Sequence, residues 1–361
     1  MVKKLISINS FWKDKKVFLT GHTGFKGSWL LLILINLGAE VFGYSLEADQ
    51  EPNLFRFLYP NIKSKFTHFE SDINDFKILS ESVSNFNPDI VIHFAAQPLV
   101  TVSYEKPRET WHTNLIGTLN LLESLKNIQK KCSILIVTTD KVYENKEWDY
   151  GYRENDRLGG KDPYSASKAA SEICVESWRS SFCGNKEYQT NFLKIATARA
   201  GNVIGGGDWS KNRIVPDVVK SLHLGEKIKI RNPQAKRPWQ HVLEPLSGYL
   251  KLIERQMLGD NDLYSQPFNF GPNIESNKSV IELVDTILVN WNGEISINND
   301  SNSVHESKLL HLNIDKAYQI LDWSPKWKFE KTISKTISWY KDFYDGLDPY
   351  EKCIEDINDY F

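Results

Sequence analysis

Thr20-Gly21-His22-Thr23-Gly24-Phe25-Lys26-Gly27 sets three glycines at G-x-x-G-x-x-G spacing, between an apolar run, Val17 to Thr20, and an apolar helical stretch, Lys26 to Leu37. The run reads as a β-strand and the stretch as a helix. Glycine permits the positive φ of a tight turn and lets backbone N–H groups approach a diphosphate. The N-terminus of the following helix adds its partial positive charge. A strand–turn–helix of this kind predicts a dinucleotide site made by Gly21, Thr23, Gly24, Phe25, Lys26 and Gly27.

Working outward, further strands are expected at Glu40 to Tyr44, Lys65 to Phe69, Ile90 to Phe94 and Ser133 to Thr138. Amphipathic stretches near 74–86 and 114–129 separate them. Strands alternating with helices predict an α/β fold, a doubly wound parallel sheet of Rossmann type. Strands that are apolar throughout, such as Ile90 to Phe94, fit a sheet covered on both faces. Beyond about Ala198 the segments shorten and turn residues thicken at Gly205-Gly206-Gly207-Asp208. Helices at Val215 to Leu224 and Val280 to Asn290 then lie between isolated strands. We expect residues 1–198, with a return at about 238–270, to form the dinucleotide-binding domain. Residues 199–237 and 271–361 are expected to form a smaller, mostly helical substrate domain packed closely on it.

The 361 residues are 41% hydrophobic, enough for a packed core, which excludes a disordered chain. Net charge is −2, with no long like-charged block, which argues against a nucleic-acid partner. The longest apolar run, Trp29 to Ile35, is too short to cross a bilayer. Lys3 and Lys4 are followed by only a brief apolar stretch before Asn9, unlike a secretion signal. A cytoplasmic protein with no membrane partner is the expectation. Cys132, Cys174, Cys183 and Cys353 lack metal or redox spacing, and no His/Asp/Glu/Cys cluster calls for a metal.

The acid that would hold ribose hydroxyls belongs at the end of the second strand. There the chain has Gly43-Tyr44-Ser45-Leu46, with Glu47 and Asp49 a little late and no arginine before Arg56. The absence of a basic pair favours NAD over NADP. Asp72 and Ile73, after the third strand, either face the adenine or cap the helix that follows.

Pro163-Tyr164-Ser165-Ala166-Ser167-Lys168 starts another helix, with proline tolerated in its first turn. Tyr164 and Lys168, four apart, share a face. A tyrosine titrates near ~10, and an adjacent ammonium with a positive nicotinamide would draw it toward working range.

Glycine turn, fifth strand and Tyr164/Lys168 together resemble the extended short-chain dehydrogenase/reductases that act on nucleotide sugars, from Phe11-Trp12 to about Trp327. Within that family the 4,6-dehydratases carry Thr-Asp-Glu at the end of the fifth strand, where this chain has Thr139-Asp140-Lys141. The lysine variant, with Gly21 to Gly27, Tyr143 to Trp148 and Arg237 to Val242, is similar to the CDP-glucose branch of those dehydratases. The resemblance implies oxidation of the hexose at C4, loss of water across C5–C6 and reduction at C6. It implies the following roles. Tyr164 takes the C4 hydroxyl proton, and Lys168 lowers its pKa and holds the nicotinamide ribose. Thr139 hydrogen-bonds the C4 oxygen, and Asp140 donates to the departing C6 hydroxyl. Lys141 is either the C5 base or an electrostatic support for the enolate.

The same resemblance places Phe94, Ala95 and Ala96 against the cofactor, and Gln97, Asn202, Arg213, Arg237 and His305 against the nucleotide sugar. His22 and His93 are expected to be structural. A homodimer through the Tyr164 helix and the 114–129 helix is also implied; the apolar spacing at Leu119, Leu122 and Leu125 is compatible with it and equally with ordinary core packing. Competing readings are a dehydratase or 4-epimerase for a UDP, GDP or dTDP sugar, and a non-catalytic dinucleotide-sensing regulator.

Overall fold

In the computed structural model, residues 10–48, 51–230, 232–259, 262–297 and 309–361 are described. Seven parallel strands form the central sheet: β1 (Lys16–Thr20), β2 (Glu40–Ser45), β3 (Thr67–Glu70), β4 (Ile90–His93), β5 (Cys132–Val137), β6 (Leu193–Ala200) and β7 (Pro267–Phe270). Their order is β7-β6-β5-β4-β1-β2-β3, so the chain reverses direction of travel between β1 and β4. Every pairing is parallel, as the doubly wound expectation requires. Ligands on such a sheet sit at that reversal, outside the carboxyl ends of the strands.

Helix α1 (Phe25–Asn36) leaves the glycine turn with Trp29 through Leu34 all buried, because it is covered on every side. It belongs to one large core with Leu243–Leu258, while a second core on the opposite sheet face gathers Phe18, Leu79, Leu121 and Val175. Leu122 and Leu125 lie in that second core at 0% exposure, so of the three leucines considered for a dimer face only Leu119 points outward. Helix α2 (Gly117–Ser124) is shorter than the spacing predicts. It is preceded by a π-turn, His112–Ile116, and the buried Asn114 is the reason. The Asn114 side chain bonds both backbone groups of Gln97 and the Ser167 hydroxyl, and its carbonyl accepts from Thr118 and Ser171. Such a bulge feeds a polar group inward at a functional site. Strand β3 begins two residues late, since the Lys65 N–H closes a turn onto the Ile62 carbonyl.

Helix α3 (Pro163–Phe182) starts with Pro163 in its first turn and a reciprocal cap between Asp162 and Ser165. After β6 come short pairs: Val203–Ile204 with Gln240–His241, Lys236–Pro238 with Asn277–Ser279, and Ile228–Ile230 with Ile295–Ile297. Helices Ile214–Leu224 and Val280–Asn290 accompany them. Among the described residues no helix is long and apolar enough to cross a membrane.

Candidate active site

The turn after β1 is shaped by close approaches. Gly21 takes φ +73°, and a Cβ there would stand 2.6 Å from the Ala95 nitrogen. A Cβ at Gly27 would run into the Gly21 carbonyl oxygen. Around Gly24 there is room: a Cβ would meet only the Gly21 oxygen, at 3.5 Å. No side chain caps α1 and no acid sits in its first turn, so its leading N–H groups face that space. These residues fit a dinucleotide diphosphate.

Around the cradle the side chains brace. The Thr23 hydroxyl lies 2.7 Å from that of Ser45 and donates to the Leu46 carbonyl, tying the turn to the end of β2. The Thr20 hydroxyl accepts from the N–H groups of Phe94 and Ala95 and lies 2.7 Å from His93 Nδ1. Burial lowers His93 to about 3, with the Lys168 charge adding to it, and lowers His22 to about 3 with help from His68. Burial thus favours the neutral form of both rings. Ile73 is buried against Gly117, while Asp72 is exposed and accepts from the Asn74 N–H.

At the end of β5, Thr139 opens a single 3₁₀ turn. Its hydroxyl donates to Asp140 Oδ1 at 3.0 Å and accepts from the Lys141 N–H at 3.3 Å. Asp140 is 1% exposed, and its Oδ2 has no hydrogen-bond partner among the described residues. The carboxyl lies against Gly201, where any Cβ would collide with it. Burial raises the Asp140 pKa against the opposing charges of Lys141, Arg237 and Lys26 and the Thr139 hydrogen bond. Lys141, its neighbour, is exposed.

Tyr164 is buried beside Thr139. Burial pushes the phenol up to about 12, the Asp140 charge adding to it while Thr139 and Arg213 oppose. The protein by itself therefore keeps Tyr164 protonated at neutral pH. Lys168 donates to the Val137 carbonyl at 3.2 Å and is drawn down to about 8 by burial and the Lys26 charge, with Glu172 opposing. Lys26 is in turn lowered to about 8 by burial and Arg213, against Asp140 and Asp208. Its charge is thus felt at Asp140 and Lys168 as well as at the glycine turn.

Arg213 donates to Asp208 Oδ2 at 2.8 Å, and Arg237, within electrostatic reach of Asp140, donates to the Lys236 carbonyl. Asn202 has φ +31°, and its carbonyl accepts from the Gln240 N–H. The Gln97 amide is engaged within the protein, donating to Leu99 and Thr110 and accepting from the Leu99 N–H at 2.6 Å. It therefore braces the loop after β4. His305 lies outside the described residues.

Sequence reasoning missed Gly201, the Glu172–Arg199 pair and Tyr249. The Tyr249 hydroxyl is buried near Tyr164 with no hydrogen-bond partner among the described residues. Only Gly201, immediately before Asn202, carried a local signal. A cavity of about 640 Å³ beside Arg179, Lys194 and Lys316 contains none of the predicted site residues. Among the described residues no group of three or more His, Cys, Asp or Glu could hold a metal ion.

The family model described as GDP-mannose 4,6 dehydratase matches residues 18–336. A CDP-glucose 4,6-dehydratase of Salmonella typhimurium is 43% identical over 352 residues, 97% of each chain. Among solved structures, an epimerase of Methanothermobacter thermautotrophicus superimposes with TM-score 0.79 at 20% identity, covering 93% of this chain and 94% of that one. A dTDP-glucose 4,6-dehydratase of Bacillus anthracis in complex with NAD superimposes with TM-score 0.74 at 20% identity, covering 93% and 99%. These two structures bear on the fold.

Proposed function

The chain belongs to the GDP-mannose 4,6 dehydratase family, among the extended short-chain dehydrogenase/reductases, and from that premise we propose that it is an NAD-dependent CDP-D-glucose 4,6-dehydratase. The product is CDP-4-dehydro-6-deoxy-D-glucose and the by-product water. The likeness to the Salmonella enzyme supports the nucleotide. One observation carries the reaction type: a buried carboxyl with a raised pKa, Asp140, directly follows Thr139 beside Tyr164. A 4-epimerase has no leaving hydroxyl to protonate.

The dinucleotide would be held by the amides from Gly21 to Gly27, by Phe94, Ala95, Ala96, Ile73 and Lys168. When bound, its nicotinamide supplies a reversible two-electron acceptor and a positive charge near the phenol. Tyr164 takes the C4 hydroxyl proton, Lys168 stabilises the phenolate, and Thr139 holds the C4 oxygen. Oxidation at C4 makes the C5–H bond acidic. Asp140 then donates its proton to the C6 hydroxyl, which leaves as water. Lys141, exposed next to Asp140, takes the C5 proton as base, and the hydride removed from C4 returns to C6 to complete the methyl group. Arg213 and Arg237 suit the diphosphate, bidentate donors for paired oxygens. Gln97 acts through the loop it braces. The absence of a basic pair after β2 supports NAD.

The division of labour follows the sequence: 1–198 with about 238–270 for the cofactor, 199–237 and 271–361 for the nucleotide sugar. The proposal includes a cytoplasmic homodimer. Ile173 at 60% exposure and Leu119 at 38% stand outward on α3 and α2 and support that interface. Sedimentation of an Ile173→Glu variant as a dimer would remove it.

The test is incubation with CDP-, UDP-, GDP- and dTDP-glucose, followed by the absorbance of a 4-keto-6-deoxy sugar in base. Turnover of CDP-glucose above the others is expected. Preference for another nucleotide sinks the base assignment, and turnover of none sinks the reading.

A further inference from the structure

Tyr164, Lys168 and Glu172 stand four residues apart in succession and share one face of α3. Glu172 and, across from it on β6, Arg199 are each 2% exposed, with 2.9 Å between guanidinium and carboxylate. A buried ion pair is often no more stabilising than apolar residues of the same volume, so stability alone is a weak reason to keep one. This pair has reach. Thr138, at the carboxyl end of β5, donates to Glu172 Oε1 at 2.5 Å, and Thr197 donates to Oε2 at 2.7 Å. Lys168, one turn earlier, holds the Val137 carbonyl. Two consecutive turns of α3 thus grip two consecutive residues of the chain, directly before Thr139 and Asp140. Arg199 extends the brace beyond that turn by donating to the Tyr143 hydroxyl at 2.8 Å and the Glu154 carbonyl at 2.9 Å. Tyr143 in turn donates to Asn269 on β7 at 2.7 Å.

We propose that Glu172, with Arg199 as its counter-ion, is a positioning residue: it fixes the Thr139–Asp140 turn against Tyr164 and keeps a negative charge one helical turn from Lys168. The inference rests on the reading of those four side chains as the reacting groups. The titratable groups facing Lys168 are Lys26 from α1, Glu172 from its own helix and His93 from β4, which burial holds toward its neutral form. Glu172 is faced by Arg199 from β6, and Arg199 lies near Glu154 and Lys316. Burial would raise the Glu172 carboxyl, but Arg199, Thr138 and Thr197 outweigh it and hold it below the ordinary range. The carboxylate opposes the burial and the Lys26 charge that lower Lys168.

The test compares the parent holoenzyme with Glu172→Gln and with the charge-balanced pair Glu172→Leu/Arg199→Leu. The charge-balanced variant is expected to fold and to keep KM, while kcat falls about 100-fold, the loss that a misplacement of about 1 Å brings. In both variants the alkaline limb of the kcat–pH profile moves to lower pH, and Glu172→Asp recovers part of kcat. Folded variants with parental kcat and an unmoved limb overturn the proposal. So does failure of both to fold, which would make the pair a stability element. Titration of Lys168 by ¹³C NMR in the holoenzyme needs no substrate and should move down in both variants. A parent that turns over no nucleotide-glucose would therefore defeat the catalytic reading while this readout still judged the brace.

Discussion

The two halves of the site are built in different materials. At β1 the work is done by backbone: Gly21, Gly24 and Gly27 make room by lacking side chains, and α1 presents its N–H groups. At β5 it is done by buried ionisable side chains, Asp140, Tyr164 and Lys168, whose properties come from what is packed around them. The backbone cradle is legible within eight residues, and the end of β2 and the loop after β4 brace it. The catalytic turn depends on contacts from α1, α3, β6 and the loop after β6.

Gly201→Ala should break the catalytic half most severely. A methyl group there collides with the Asp140 carboxyl and displaces it. We expect kcat to fall by about 100-fold or more, the range lost with a misplaced acid–base group, while dinucleotide affinity by calorimetry stays near the parent's. A parental kcat would show that Asp140 does not act from this position. Gly27→Ala addresses the other half. Its Cβ meets the Gly21 carbonyl oxygen, so the turn must open. Dinucleotide affinity should fall by about 10–100-fold, the equivalent of the ~1–3 kcal/mol that overpacking costs. Unchanged affinity would contradict the cradle.

This contrast accounts for what the sequence disclosed. The glycine spacing between strand and helix, and the four-residue step from Tyr164 to Lys168, are local patterns that read directly as geometry. The parallel sheet followed from alternating periodicities. Glu172 and Arg199 are 27 positions apart in the chain, and nothing in either neighbourhood announces their pairing. The position of Lys26 within a backbone motif concealed that its charge is felt at Asp140 and Lys168. Asp140 and Lys141 are adjacent, yet one is buried and the other exposed, because successive side chains of their shared 3₁₀ turn point in different directions. Burial, unlike spacing, is a tertiary property.

The smallest effect at neutral pH concerns His22 and His93, which flank the cradle and are both lowered from 6.5 to about 3. A histidine depressed on folding binds its proton more readily when unfolded. Its contribution to stability is therefore whole above about 6.5 and is lost as pH falls toward about 3. Each should subtract about 1.4 kcal/mol of stability per pH unit within that window. Urea unfolding of the parent and of His93→Gln between pH 6.5 and 4 should show the variant with the shallower slope. Equal slopes would show that His93 is not buried neutral.

The central claim is that C4 lends its hydrogen so that C5 can ionise and C6 can lose its hydroxyl. CDP-glucose deuterated at C4, followed through a single turnover, tests it most directly. The account predicts deuterium in the C6 methyl group of the product; a methyl group free of label would contradict it.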